Sequence, residues 1–415
     1  MSRSSAPSSR RLVVLGAGPI GIETALNASV AGFDVTVLEA GAIGANVAQW
    51  GHIKMFSPWS TNTSALGVDL LKRSGRTPFD DPDAFPTGRE LVAQYLLPLT
   101  RTPYLAKRVV TGCRVLGVGR DGLLKGDWIG RPERALRPFR ILARRDRREV
   151  IYEAEVVVDA TGTFGQPRHP GNGGLPARGE KDAATRIDFQ PVDLDRRAPE
   201  FLGRRVLLIG AGHTAATAAV ALEDLIVRDA RTKVIWAVRQ SVGPLFKRIP
   251  DDPLPERDRL MRQANAIADG TLSGIEMIPG TVVEAIAAAN GGRSAARRGL
   301  RVTLLAHGKR RVVQVDRILA HVGFQPDRSL YAELQVHECY ASSGPMNLAA
   351  ALLGSASGDC LAQPAASADV LANPEPGFYI LGAKSYGRNS NFLIRTGHRQ
   401  IATVLAALGP ARRVA

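Results

Sequence analysis

The sequence predicts an α/β protein with two Rossmann-like, three-layer domains, the second inserted into a discontinuous first domain. A short apolar strand, a glycine-rich turn and a helical pattern follow one another at residues 12–30, and the same order recurs at residues 205–227. Apolar segments at 156–159 and 378–382 are typical of buried strands returning to a parallel sheet. The predicted division is a disordered tail at 1–10, a first domain at 11–200 and 323–415, and a second domain at 201–322.

Length and composition agree with two globular domains. The chain has 415 residues, whereas a single hydrophobic core stops growing at roughly 250–300 residues. Its composition, 45% hydrophobic and 22% charged, excludes a disordered protein, and its length excludes a small binding module. The net charge of +15 favours anionic partners. The three cysteines form no CxxC pair and no disulfide framework, which fits a reducing cytoplasm, and no apolar run reaches the ~20 residues of a membrane span. We therefore expect a cytoplasmic protein that does not bind membranes.

The first glycine turn predicts a dinucleotide site. Gly16, Gly18 and Gly21 have the GxGxxG spacing between the first strand and the first helix. In such a turn the first glycine permits a tight bend, the second lets a pyrophosphate approach the backbone, and the third packs helix on strand. Glu39 ends the next apolar strand, where an acidic residue would accept hydrogen bonds from a ribose. The alternative is a glycine turn without a ligand.

The second glycine turn predicts a second dinucleotide site. Its residues are Gly210, Ala211, Gly212, His213, Thr214 and Ala215. The acidic residue expected after the following strand, at 233–238, is replaced by Arg239. A guanidinium there would pair with a 2′-phosphate, which favours NADPH over NADH. The alternative for Arg239 is a solvated loop charge.

Five motifs occur in the order seen in the flavoproteins with two dinucleotide-binding domains, which the chain therefore resembles. They are GAGPIG with Glu39, ATG at 160–162, GAGHTA at 210–215, the VDxxLAxxGxxPD-like segment at 315–327 and GFYILG at 377–382. This superfamily includes thioredoxin-reductase-like and glutathione-reductase-like enzymes and the class B flavin monooxygenases. The resemblance implies that FAD binds the first domain and that NADP(H) binds the second and delivers hydride to the flavin. It adds Pro19, Ile20, Thr161, Gly162 and Gly382 to the implied FAD contacts.

Within that superfamily, the disulfide reductases need a redox cysteine pair beside the flavin. Cys113, Cys339 and Cys360 form no pair at short spacing, which argues against that subclass. The stretch 201–215 is similar to the FxGKRVLVVGxGxSA segment of class B monooxygenases, as is DATG at 159–162. Two features depart from that pattern. The sequence RIDF stands at 186–189 in place of a His-containing signature, and Lys384 stands where many relatives have an aspartate that binds the ribityl chain of FAD.

Two loops supply the remaining site candidates. Trp50, Gly51 and His52 lie in an aromatic-rich loop and are expected either to line the isoalloxazine pocket or to form a satellite hydrophobic cluster. Lys384 is expected either to donate hydrogen bonds to ribityl or pyrophosphate oxygens or to be solvated. No catalytic residue is identified. The candidates are His52 as a proton donor and Arg388, Asn389 and Asn391 as groups that orient substrate, with ordinary loop capping as the alternative.

Three functions stay open. The first is an NADPH-dependent FAD monooxygenase that inserts one oxygen atom into a small organic substrate through a C4a-(hydro)peroxyflavin. The second is an NADPH-dependent flavin reductase or dehydrogenase of a small acceptor, without a stable oxygen adduct. The third is a basic, non-enzymatic flavoprotein, which is supported only by the net charge.

The other partner predictions are negative or open. The histidines show no HxH or HExxH spacing, so no metal site is predicted. The arginines at 131–148 lack interleaved aromatic residues, so we expect a solvated hairpin and no nucleic-acid binding. Small apolar helical stretches at 349–353 and 402–408 are expected to bury against neighbouring elements or against a second subunit of a homo-oligomer.

Overall fold

The structure, a computed structural model, describes residues 9–241, 243–270, 274–289, 299–354 and 366–411. In chain order, the strands in these ranges are β1 (Arg11–Leu15), β2 (Asp34–Leu38), β3 (Val109–Val110), β4 (Cys113–Arg120), β5 (Phe139–Arg145), β6 (Arg148–Ala154), β7 (Val156–Asp159), β8 (Ile187–Asp188), β9 (Arg205–Ile209), β10 (Lys233–Ala237), β11 (Ile275–Ile278), β12 (Thr281–Ala288), β13 (Leu300–Ala306), β14 (Lys309–Val315), β15 (Arg317–Ala320) and β16 (Phe378–Ile380).

The helices complete the two units. They are α1 (Pro19–Val30), α2 (Ala45–Gln49), α3 (Trp59–Asn62), α4 (Ala65–Arg73), α5 (Gly88–Glu90), α6 (Leu97–Leu99), α7 (Ala198–Phe201), α8 (His213–Arg228), α9 (Pro255–Ala268), α10 (Met346–Gly354), α11 (Ala368–Leu371) and α12 (Ile394–Leu408). A π-helical turn, Leu91–Leu96, joins α5 to α6. The chain divides into unit 1, which ends at Gln166 and resumes at Gln325, and unit 2, Pro167–Phe324.

Unit 1 has three layers around a parallel sheet with the strand order β16-β7-β1-β2-β3. Successive side chains of a strand point to opposite faces of its sheet, and β1 shows this directly. Leu12 and Val14 are buried in the same cluster as Ile22 of α1. Val13 and Leu15 are buried in a second cluster that includes Phe139 of the antiparallel sheet β4-β5-β6. The continuous apolar run of β1 therefore fills both faces.

Unit 2 repeats this plan. Its parallel sheet has the order β11-β10-β9-β15-β8, and an antiparallel sheet, β12-β13-β14, packs on one face. Leu207 and Ile209 of β9 share a cluster with Val302 and Leu304 of β13. Helix α8 contacts β9, β10 and α9. Two three-layer α/β units with Rossmann-like parallel sheets confirm the predicted fold class.

The division along the chain differs from the predicted boundaries at 200/201 and 322/323. Residues 167–200 belong to unit 2, because β8 adds to the parallel sheet beside β15 and because Gly171 and Arg178 form bridges with β12. The unit also extends to Phe324. Strand β8 has only two residues, so no apolar period marks it in the sequence.

The predicted disordered tail at 1–10 is wrong for its last two residues. The Arg10 amide donates to the Ala411 carbonyl at 2.8 Å, its guanidinium donates to the Leu408 carbonyl, and the Ser9 hydroxyl bonds to the Gly32 carbonyl. Residues 1–8 lie outside the described residues, as do residues 290–298. Long-range backbone contacts of this kind leave no local signal in the sequence.

The predicted solvated hairpin at 131–148 is also only partly right. Strands β5 and β6 form the hairpin, and most of its arginines are exposed. Arg134, however, is fully buried and pairs with Glu375 at 3.0 Å. Arg120 pairs with the same carboxylate at 2.7 Å. The partner is distant in sequence, so composition alone made Arg134 look like a surface charge.

Candidate functional site

The first glycine turn joins β1 to α1 and has one open face. Gly16 has φ +93°, and a Cβ there would lie 3.0 Å from the Ala160 carbonyl oxygen. A Cβ on Gly21 would lie 1.9 Å from the Gly16 carbonyl oxygen, so helix and turn touch there. A Cβ on Gly18 would meet nothing within 4 Å. The turn is therefore crowded at its first and third glycines and open at its second, as backbone approach by a ligand requires.

Helix α1 presents its N-terminus at that open face. Gly18 is the N-cap residue and gives no side-chain cap, Pro19 is the first helical residue, and the first turn has no acidic side chain. The first helical hydrogen bond runs from the Ile22 amide to the Gly18 carbonyl. The earlier amides and the positive end of the helix dipole thus form an anion-binding position.

Glu39 lies against the same turn. Its Oε2 accepts a hydrogen bond from the Ala17 amide at 2.7 Å, and its Oε1 accepts from the Gly41 amide at 2.7 Å. The side chain is half-buried at the end of β2. Both oxygens are fixed by backbone donors, and their remaining lone pairs suit the hydroxyl groups of a ribose.

A buried polar cluster lies behind the turn. Lys384 Nζ donates to Asp159 Oδ2 at 2.6 Å and to Thr161 Oγ1 at 3.0 Å, and the Lys384 and Asp159 side chains are 0% exposed. Thr161 donates from its hydroxyl and its amide to Asp159 Oδ1, at 2.7 and 3.1 Å. The Thr161 Cα lies 3.1 Å from a Cβ built on Gly16. Lys384 is therefore not solvated, and that alternative is wrong.

Gly382 brings the second chain segment of unit 1 to the first turn. It has φ +75°, and a Cβ there would lie 3.1 Å from the Ile20 side chain. Its amide donates to Gln400 Oε1 of α12 at 2.9 Å, and Gln400 in turn donates to Ser385. The predicted FAD residues thus lie on α1, on its glycine turn and on the segments that follow β2, β7 and β16, at the carboxyl end of the parallel sheet of unit 1. They are Gly16, Gly18, Pro19, Ile20, Gly21, Glu39, Thr161, Gly162, Gly382 and Lys384, and their contact with FAD stays a prediction. Asp159, Ser385 and Gln400, which hold this arrangement, were not among the predicted site residues, and Asp159 was noted only as the first residue of the DATG motif.

The loop at 50–52 packs against the start of α5. The Trp50 ring lies against Gly88, so close that a Cβ there would be 2.6 Å from the ring, and Trp50 packs on the main core of unit 1. Gly51 is buried, and its carbonyl accepts from the Arg89 amide at 3.0 Å. This packing fits the hydrophobic-cluster alternative for Trp50. A role of His52, which is half-buried, at the isoalloxazine ring stays a prediction.

The loop at 388–391 has the hydrogen bonds of a capped turn. Asn389 Oδ1 accepts from the Asn391 amide at 3.0 Å, as in an Asx-turn. The exposed Arg388 donates to Gln325 Oε1 at 3.1 Å, and its amide donates to the Ser342 carbonyl at 2.7 Å. The proposed contact of this loop with substrate remains a prediction.

The second glycine turn, in unit 2, has the same crowded and open positions. Gly210 has φ +127°, and a Cβ there would lie 2.1 Å from the His321 carbonyl oxygen. A Cβ on Gly212 would meet nothing within 4 Å, and Gly212 is the N-cap of α8 without a side-chain cap. Ala215, at the third position, is fully buried. His213 is exposed and Thr214 is half-buried at the start of the helix.

Arg239 follows β10 at the same end of its sheet. The residue is exposed, and within the described ranges its guanidinium has no ion-pair or hydrogen-bond partner. The neighbouring Arg248 is paired with Asp258 at 2.8 Å. Arg239 is thus an available cation at the position where the sequence predicts a 2′-phosphate.

Three buried titratable groups near these turns carry no signal in the sequence. Burial lowers the pKa of His321, which follows β15 beside Gly210, to about 4, so the imidazole is neutral near pH 7. In unit 1, Glu23 of α1 accepts a hydrogen bond from the Tyr95 hydroxyl, and both side chains are buried. Burial, followed by the charge of Glu23, raises the pKa of Tyr95. Glu23 and Tyr95 are 72 residues apart in the chain.

The described residues also bear on other kinds of site. They contain no group of three or more His, Cys, Asp or Glu side chains arranged to hold a metal ion. In the same ranges, each helix is too short or too polar to cross a bilayer.

Comparison with known proteins gives matches among solved structures. No protein-family model matches the chain, and no curated protein matches it. The bacillithiol disulfide reductase of Bacillus cereus is 18% identical, with a TM-score of 0.67 over 97% of this chain and 99% of that chain. The FAD-bound cadaverine monooxygenase of Erwinia amylovora is 12% identical, with a TM-score of 0.65 over 98% and 96%.

The ornithine N-hydroxylase of Kutzneria sp. 744, solved with reduced FAD, NADP+ and L-ornithine, is 16% identical, with a TM-score of 0.62 over 97% of this chain and 99% of that chain. At these identities the likeness shows a shared fold. The chain has the fold of thioredoxin-reductase-like proteins and of class B flavin monooxygenases, which confirms the resemblance in fold.

Proposed function

We propose that the protein is an NADPH-dependent FAD oxidoreductase that transfers one oxygen atom of O2 to a small organic substrate. The observation that carries this proposal is the pair of glycine turns. Each has a crowded first glycine and an open second glycine at the N-terminus of a helix without a side-chain cap. Such a turn accepts a pyrophosphate, and the chain has two of them, one in each unit.

The residues of unit 1 fit FAD. Gly18 leaves room for the pyrophosphate against the amides of α1, and Glu39 offers acceptor lone pairs to the adenosine ribose. Thr161 and Gly162 follow β7, the strand adjacent to β1, and Gly382 follows β16 beyond it. When bound, FAD would supply hydride acceptance and the activation of oxygen.

The residues of unit 2 fit NADPH. Gly212 and the N-terminus of α8 would hold its pyrophosphate, and the guanidinium of Arg239, which has no partner among the described residues, would pair with its 2′-phosphate. Position 239 carries a cation where an NADH site would carry an acidic residue.

Support for oxygen transfer comes from two sources. The cadaverine monooxygenase and the ornithine N-hydroxylase share the fold over nearly their whole length. The three cysteines of the sequence form no short-spaced redox pair of the kind that a disulfide reductase would place beside its flavin.

The alternative is an NADPH-dependent reductase or dehydrogenase of a small acceptor. The similarity to the bacillithiol disulfide reductase favours it. A basic flavoprotein without enzymatic activity is the third candidate, and the net charge of +15 is its only support.

Rapid mixing tests the proposal. The purified yellow protein is reduced anaerobically with NADPH and mixed with oxygenated buffer, with and without cadaverine or L-ornithine as probe amines, while the flavin absorbance is followed. A long-lived spectrum distinct from both oxidised and reduced flavin supports oxygen transfer. Direct return to the oxidised spectrum under both conditions supports the reductase. A protein that binds no FAD overturns the proposal.

A further inference from the structure

Lys384 occupies an unusual place for a lysine. Its side chain is 0% exposed, inside unit 1 and next to the turn after β7. Its ammonium lies 5.2 Å from the centre of the Tyr331 ring and donates to Asp159 and Thr161. A buried ammonium is costly unless it is paired and hydrogen-bonded, so this position depends on Asp159.

We propose that Lys384 is a positioning residue for the FAD site: it fixes the turn at 159–162 against Gly16 and neutralises the buried carboxylate of Asp159 behind that turn. This inference rests on the proposed function, because it assigns the residue a role toward the proposed cofactor.

Thr161 connects Lys384 to the first glycine turn. Its hydroxyl accepts from Lys384 and donates to Asp159, and its amide also donates to Asp159. Thr161 also lies beside the first glycine turn, since its Cα would be 3.1 Å from a Cβ placed on Gly16. Lys384 therefore closes a ring of hydrogen bonds on the rear side of the turn and leaves the open face at Gly18 free.

Lys384 also balances the charge of Asp159. Asp159 and Lys384 together add no net charge beneath a ligand that carries a pyrophosphate. Removal of the ammonium alone would leave a buried carboxylate near that ligand, which would disfavour both the pyrophosphate and the added negative charge of reduced flavin. The pair also joins the two chain segments of unit 1, since Asp159 lies in the first segment and Lys384, 225 residues later, lies in the second.

Four variants separate this role from simple stabilisation. They are K384M, K384R, the double variant D159N/K384M, and R134M as a matched control. Arg134 is an equally buried cation in unit 1, but its carboxylate partner, Glu375, accepts hydrogen bonds from Arg120, Arg134 and the Gln335 amide, none of which is a predicted FAD residue. For each variant the FAD dissociation constant, the flavin midpoint potential and the thermal unfolding of the apoprotein are measured.

We expect K384M to raise the FAD dissociation constant by roughly tenfold or more, since it removes two charge-assisted hydrogen bonds, and to make the midpoint potential more negative. K384R, which keeps the charge, and D159N/K384M, which removes both charges, should lie between K384M and the wild type in both quantities. R134M should lower the unfolding temperature but leave both flavin quantities at their wild-type values.

Wild-type values of both flavin quantities in K384M and in the double variant would overturn the inference, even if K384M is less stable. If K384M does not fold, the FAD dissociation constants and midpoint potentials of K384R and the double variant test the inference in its place. A wild-type protein without affinity for FAD would instead overturn the proposed function, and this inference with it.

Discussion

The Tyr95 hydroxyl donates a hydrogen bond to the Glu23 carboxylate inside unit 1, and it accepts one from the Ser64 amide at 2.9 Å. Glu23 lies on α1, one turn beyond Pro19, and its side chain is 1% exposed. His398 of α12 is the next titratable group, with Nε2 4.0 Å from the same carboxylate. The phenol therefore satisfies a buried carboxylate on the helix that begins at the first glycine turn.

The variant Y95F should destabilise the protein by about 2–3 kcal/mol, because it leaves a buried carboxylate oxygen and the Ser64 amide without their partner. Y104F is the control, since Tyr104 is 38% exposed, and it should change stability by less than about 0.5 kcal/mol. Urea unfolding followed by far-UV circular dichroism measures both. Equal midpoints for the two variants would show that the hydroxyl does not hold Glu23.

Glycine variants of the first turn should separate folding from binding. Gly18 has φ −79° and an open Cβ position, so G18A should leave the stability of the apoprotein within about 0.5 kcal/mol of the wild type. Its methyl group would occupy the space of the pyrophosphate, so we expect FAD affinity to fall by roughly tenfold or more.

G21A is the matched change at the other end of the turn. A Cβ there would lie 1.9 Å from the Gly16 carbonyl oxygen, so helix and strand must separate and the apoprotein itself should lose stability. Thermal unfolding measures the stability of both apoprotein variants, and FAD titration measures their affinity for the cofactor. If G18A binds FAD as tightly as the wild type, the open face is not the pyrophosphate site.

The sequence predicted the local elements well and the long-range pairs poorly. Strand β7 occurs at the predicted residues, 156–159, because a buried strand is encoded by an apolar run of adjacent residues. The partner of Lys384 is 225 residues away, and the partner of Arg134 is 241 residues away. A lysine or arginine looks solvated in sequence until its buried partner is known, so a solvated Lys384 was one of two alternatives and Arg134 was assigned to a solvated hairpin.

The proposed cofactor preference predicts the effect of R239A. Without the guanidinium, kcat/KM for NADPH should fall by roughly 10- to 100-fold, because a charge-assisted hydrogen bond to a phosphate is lost, while kcat/KM for NADH should stay within about twofold. R301A, another exposed arginine of unit 2, should change neither value. Steady-state flavin reduction with both nucleotides gives the comparison. A parallel loss with NADPH and NADH would mean that Arg239 does not contact the 2′-phosphate.

The stability of unit 1 should depend on acid through Glu375. Burial opposes its ionisation, but hydrogen bonds from Arg134, the Gln335 amide and Arg120 outweigh burial and hold the pKa of Glu375 below its ordinary value of 4.5. A carboxyl group with a lowered pKa in the folded state stabilises the protein above its unfolded pKa and loses that contribution as the pH falls.

Stability should therefore decline as the pH falls from about 5 toward and through the lowered pKa, with both arginines left without a counter-ion. E375Q should be less stable than the wild type at pH 7, because it leaves two buried arginines with a neutral partner, and it should show a shallower decline in acid. E133Q is the control, because Glu133 is exposed and directly precedes Arg134 in the chain. It should keep the wild-type dependence of stability on pH. Urea midpoints measured at steps between pH 7 and pH 3 test this, and identical acid slopes for E375Q and the wild type would assign the acid sensitivity to other carboxyl groups.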